Sequence, residues 1–78
     1  MNGATATKPQ TAELLRLLYE YVVSHTPSHP VLLPAVVALR DAGQLYGRND
    51  IQRASQRGVE VYQFMVRTRA SSPDLPLP

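Results

Sequence analysis

A chain of 78 residues makes one domain and no more, and at this length only about 60% of the unfolded surface is buried on folding. It contains no cysteine, which excludes a disulfide framework and a thiolate metal site and leaves oligomerisation or a partner as the remaining reinforcement. The formal charge of +2 is too small to define a nucleic-acid binder by itself, but it is uneven: between positions 48 and 69, five arginines stand against Asp50 and Glu60.

Residues 1–10 are small, polar and end near a proline, and read as a disordered leader. They lack the basic-then-apolar order of a cleavable signal, so a cytoplasmic chain is expected, with signal-independent export open to it. Thr11 is the expected N-cap of a first helix over 11–25, with Glu13 in its first turn. Its polar residues Glu13, Arg16, Glu20 and Ser24 form one narrow stripe, and Arg16 and Glu20 are spaced as an i,i+4 pair. Leu14, Leu15, Leu17, Leu18, Tyr19, Tyr21, Val22 and Val23 cover the rest, far more than the ~100° face of an ordinary surface helix. Two later helices of the chain must clasp it from both sides, or another molecule must cover what they leave. The longest apolar stretch is interrupted by Arg16 and Glu20 and falls short of the about 20 residues of a membrane span.

Pro27, Pro30 and Pro34 then enforce a corner, since each lacks an N–H and biases the residue before it away from helix. Pro34 suits the first turn of a second helix over 34–46, whose Ala35, Ala38 and Ala42 face permits close approach. Gly47 is placed for a left-handed cap, and Asn49 with Gln52 resembles a capping box opening a third helix over 49–69. One long helix from 34 to 69, flexible at Gly43 to Gly47, is the alternative. On the third helix, Ile51, Ser55, Gly58, Val59, Tyr62, Met65, Val66 and Arg69 share a face. Val61 and Phe64 fall outside that stripe and widen it. Residues 71–78 read as an extended, frayed, proline-rich tail in which Leu75 and Leu77 have the chemistry of a groove-docking peptide. The expected fold is thus all-α, a helical hairpin or small three-helix bundle over 11–70.

Chemistry is sparse. His25 and His29 are separated by Pro27 and lack an evident third ligand, so no metal site is expected, and no cofactor. Ser24, Ser28 and Ser55 have no triad context, the carboxylates are dispersed, and no phosphate-binding glycine loop is present, so a non-enzymatic protein is expected. Helix, turn and an Arg-bearing third helix also outline a helix-turn-helix, with Arg48, Gln52, Arg53, Gln56 and Arg57 as the groups that would meet DNA.

Pro27-Ser28-His29-Pro30, followed by Leu32-Leu33 and then by Leu45-Tyr46 and Arg48-Asn49, resembles the hairpin region of type III secretion needle subunits. The resemblance covers Pro27 to Asn49. It implies a helical hairpin that polymerises through its helices and is kept soluble by small helical chaperones. Pro34, Gly47 and the proline-rich tail depart from that pattern. The reading from residues and resemblance together is a helical protein–protein interaction module, as a self-associating subunit or a chaperone of a secretion apparatus, with a docking domain or nucleic-acid binder as alternatives. Its expected anchors are Leu14, Leu17, Leu18, Tyr21, Val22, Tyr62, Met65 and Val66, with Arg53 and Arg57 at the rim.

Overall fold

A computed structural model describes residues 7–75, and in it three helices are linked by two tight turns. They are α1 (Lys8–His25), α2 (Leu33–Gly47) and α3 (Ile51–Ser71), with a 3-10 turn at Pro30–Leu32 ahead of α2. The chain is all-helical, and the fold is the three-helix bundle rather than the simple hairpin.

α1 begins earlier than Thr11. Thr7 is the N-cap: its side chain accepts from the Gln10 N–H at 3.2 Å, and the Gln10 amide accepts in return from the Thr7 N–H at 3.1 Å. Pro9 sits inside the first turn, where a missing N–H costs nothing. The expected leader therefore contracts: positions 8–10 are helical, and positions 1–6 lie outside the described residues. Thr11, the expected cap, is buried with its hydroxyl unpaired.

The proline corner ends α1 as expected. The His25 carbonyl accepts from the Ser28 and His29 N–H groups, and Pro34 occupies the first turn of α2. The turn between α2 and α3 breaks the chain where a single long helix was the alternative, but its chemistry differs from expectation. Asn49, with φ at 64°, takes the left-handed position, while no glycine among the described residues has positive φ. The Asn49 N–H donates to the Tyr46 carbonyl and the Asp50 N–H to the Leu45 carbonyl, both at 2.9 Å, which is a Schellman arrangement. Asn49 is thus the terminator of α2 and not the N-cap of α3. Asp50 holds that N-cap position and makes no side-chain capping bond.

Contacts across the bundle give its topology. Lys8, at the start of α1, lies over Tyr46 near the end of α2, and Asp41 of α2 pairs with Arg57 of α3. A side chain at Gly58 would meet Leu14 and Leu15, while the Arg69 charge acts on Tyr21. α1 and α3 therefore run parallel, and α2 runs antiparallel to both.

The core is formed by Leu18, Tyr21, Val22, Leu32, Ala35, Leu39, Val61, Met65 and Leu75. Ala54, Gly58, Val61 and Met65 recur at four, three and four residues and are the buried stripe of α3. This corrects the expected α3 face by roughly a quarter turn: Val61 points inward, and Val59, Tyr62 and Val66 are left exposed. The physical reason is size. Ala54 and Gly58 let α3 approach closely, and the helix turns these small residues inward together with Val61 and Met65, leaving Val59, Tyr62 and Val66 outside.

The tail is the second correction. Past α3, the Leu75 N–H donates to the Ser72 carbonyl at 3.0 Å, and the Leu75 carbonyl accepts from Arg69 Nε at 3.0 Å. Leu75 is fully buried, and Asp74 Oδ2 lies 3.4 Å from His29 Nε2 at the proline corner. The segment as far as Leu75 is a strap closing the end of the core. Leu77 lies outside the described residues.

Candidate interaction surface

The anchors expected from the sequence divide into two groups. Leu18, Tyr21, Val22 and Met65 are at most 8% exposed and constitute the chain's own core, so they do not offer a surface to a partner. Leu14 is half-buried against that core. Leu17, Tyr62 and Val66 remain 42–49% exposed. Helical position places them together: Leu17 lies on the flank of α1 that carries Leu14 and Tyr21, toward α3, and Tyr62 and Val66 lie on the flank of α3 toward α1. Val59, which is equally exposed, joins them. The outcome is an apolar face along the outer α1–α3 seam.

Arg53 and Arg57 do not rim this face. They lie toward α2, where Arg57 Nε meets Asp41 Oδ2 at 3.1 Å and Arg57 Nη1 meets Glu60 Oε1 at 3.2 Å. Arg53 Nε stands 3.7 Å from Asp50 Oδ2. A polar cleft of about 380 Å³ is formed here with Leu45 and Gln56. Arg57 is matched by Asp41 and Glu60, and Arg53 faces Asp50, so the basic footprint of α3 is locally neutralised where a helix-turn-helix would need it.

On the other flank of α1 lies a wider apolar groove of about 430 Å³, floored by Ala12, Leu15, Tyr19, Leu39, Gly43 and Tyr46. Arg16 and Arg40 stand at its lips. Arg16 is clamped by Glu13 at 2.6 Å and Glu20 at 3.0 Å, which includes the expected i,i+4 pair. That clamp holds the Glu13 carboxyl below, and the Arg16 guanidinium above, their ordinary ranges. This groove was not foreseen. The signal for it was present in the small residues Ala12 and Gly43 on facing helices.

The histidine corner is a packing site. Tyr21 and His25 rings lie 4.5 Å apart and His25 and His29 rings 6.5 Å apart. Burial raises the Tyr21 phenol above its ordinary value, against a smaller opposing effect of the Arg69 charge. Among the described residues no group of three or more His, Cys, Asp or Glu is placed to hold a metal ion, and no helix is long and apolar enough to cross a membrane.

Comparison with known proteins finds no matching family model, curated protein or solved structure. The fold and surface together define a class, an all-α three-helix bundle with two apolar outer seams flanking its first helix.

Proposed function

We propose that this protein is a non-enzymatic helical interaction module that buries its α1–α3 face against another copy of itself or another helical protein. One observation carries the reading. After the bundle has closed its own core, nine large apolar side chains among the described residues remain 42–66% exposed, and four of them, Leu17, Val59, Tyr62 and Val66, flank one seam. Full burial of such a side chain is worth about 1.5–3 kcal/mol, and these four are already about half covered, so about half of that remains for each and the four together suffice for a modest association. The resemblance of Pro27 to Asn49 to needle subunits supplies one setting, a subunit or chaperone of a secretion apparatus.

Self-association is the version tested first. Light scattering over a concentration series, with circular dichroism on the same samples, should give a helical species whose mass grows with concentration. Leu17→Glu combined with Tyr62→Glu should hold it at monomer mass with its helicity intact, because both positions are half-exposed in the free chain. A wild-type chain that stays monomeric to about 1 mM, where an association worth about 4 kcal/mol would show, contradicts self-association.

A further inference from the structure

Among the described residues, nothing fills the space that the missing side chain of Gly43 leaves. Gly43 lies inside α2, where glycine costs about 1 kcal/mol relative to alanine. Its φ is not positive, and a Cβ built there meets nothing within 4 Å. Gly58, by contrast, is explained internally, since a Cβ there would stand 2.8 Å from Leu14 Cδ2. The effect of the bare backbone at Gly43 is to deepen the α1–α2 groove. A missing side chain facing an open apolar groove suits the close approach of another backbone.

The charge at the groove narrows the occupant. No carboxylate lines it. Arg16 is already held by Glu13 and Glu20, but Arg40 makes no ion pair among the described residues, and Lys8 reaches only the Tyr46 ring, at 5.7 Å. The Arg16 lip thus carries two carboxylates against one guanidinium, and the unpaired positive charge is confined to Arg40 on the other lip and Lys8 at one end. The span from Ala12 to Tyr19 amounts to about two helical turns. A helix laid between two antiparallel helices, with a small residue at the crossing, matches this shape.

We propose that the α1–α2 groove docks an amphipathic helix of a partner protein, with its apolar seam crossing Gly43 and carboxylates on its flank facing Arg40 and Lys8. A second copy fits less well. The carboxylates of this chain nearest an exposed apolar residue of α1, Glu13 and Glu20 around Leu17, are already engaged by Arg16. The inference belongs to the same interaction reading but concerns a different face, so the two succeed or fail separately.

The test uses the full ¹⁵N-labelled chain carrying Leu17→Glu and Tyr62→Glu, titrated with a helical peptide of about 15 residues, long enough to hold a helix, bearing a Leu/Ala seam and Glu flanks. A second peptide carries the same seam with Lys flanks. Amide shifts should cluster at Ala12, Tyr19, Gly43 and Tyr46, with the Glu-flanked peptide binding at least about tenfold tighter, a difference of about 1.4 kcal/mol. Arg40→Glu should remove that preference. Gly43→Leu should abolish binding while leaving the melting temperature unchanged or raised, which separates a filled groove from a damaged fold. Binding of neither peptide, equal affinity for both, shifts confined to the α1–α3 seam, or undiminished binding by Gly43→Leu would each overturn the proposal. Shifts at the groove on concentrating the chain alone would assign it to a second copy and equally overturn it.

Discussion

The two seams of α1 use the same materials to opposite ends. Along the α1–α3 seam, Gly58 is filled from across the interface by Leu14, and Tyr21 is 8% exposed. Along the α1–α2 seam, a Cβ at Gly43 would meet no described residue, and Tyr19, two residues from Tyr21, is 47% exposed. One glycine serves internal packing, and the other leaves a space. A glycine in a helix is thus interpretable only through its neighbours: where a side chain of the same molecule occupies the vacated volume, it is a folding device, and where none does, its helix-propensity cost has no internal compensation.

The largest expected effect separates the two tyrosines. Tyr21→Ala should destabilise the free chain by about 3–5 kcal/mol, the range for a buried aromatic, whereas Tyr19→Ala should cost well under about 1 kcal/mol. Equal losses in urea unfolding would mean that the α1–α2 seam is as closed as the other. Next comes the strap. Leu75→Ala should cost about 2–5 kcal/mol, an effect a frayed tail would not show, and hydrogen exchange should report protection of the Leu75 amide that the variant loses.

Thr11→Val is expected to act in the other direction. The Thr11 hydroxyl is buried without a partner, so an isosteric methyl should stabilise the chain by about 1 kcal/mol, measured as a rise in urea midpoint at constant slope. The smallest effect is on alkaline stability. Because burial raises the folded-state pKa of Tyr21, its contribution is fully present below the unfolded value near 10.0 and is lost as pH rises through the higher folded value. Stability should therefore decline from about pH 10 upward, and Tyr21→Phe should flatten that decline; an unchanged pH profile in the variant would place the titrating group elsewhere.

Much of the architecture was legible because proline and periodicity act locally. Pro27, Pro30 and Pro34 mark the corner, and the apolar excess of α1 requires neighbours on both sides, which α2 and α3 provide. The misread boundaries had local signals of their own. Thr7 and Gln10 form a capping box that Pro9 concealed, because a proline after a polar stretch reads as leader even though the first turn tolerates it. Asn49 competes with Gly47 for the left-handed position and takes it, since the Schellman bonds to Tyr46 and Leu45 set the register. The rotation of α3 was harder to read. Hydrophobic weight favours Val59, Tyr62 and Val66, but the helix packs by closeness of approach and buries Ala54 and Gly58. Leu75 stood out as a residue able to dock in a groove, but that it docks on this chain's own core depends on where the end of α3 meets Leu32 and Met65 in space, which local sequence does not carry. The exposed apolar surface followed the fold: Leu17, Tyr62 and Val66 are exposed, whereas Leu18, Tyr21, Val22 and Met65 are needed by the core.

The contrast between the seams rests most directly on the paired urea midpoints of Gly43→Ala and Gly58→Ala. Alanine gains about 1 kcal/mol of helix propensity at both positions, but at Gly58 overpacking against Leu14 and Leu15 costs about 1–3 kcal/mol. Gly43→Ala should therefore stabilise the chain by about 1 kcal/mol, and Gly58→Ala should fail to stabilise it or lower its midpoint. Shifts of the same sign and size in the two variants would contradict one seam being closed and the other open.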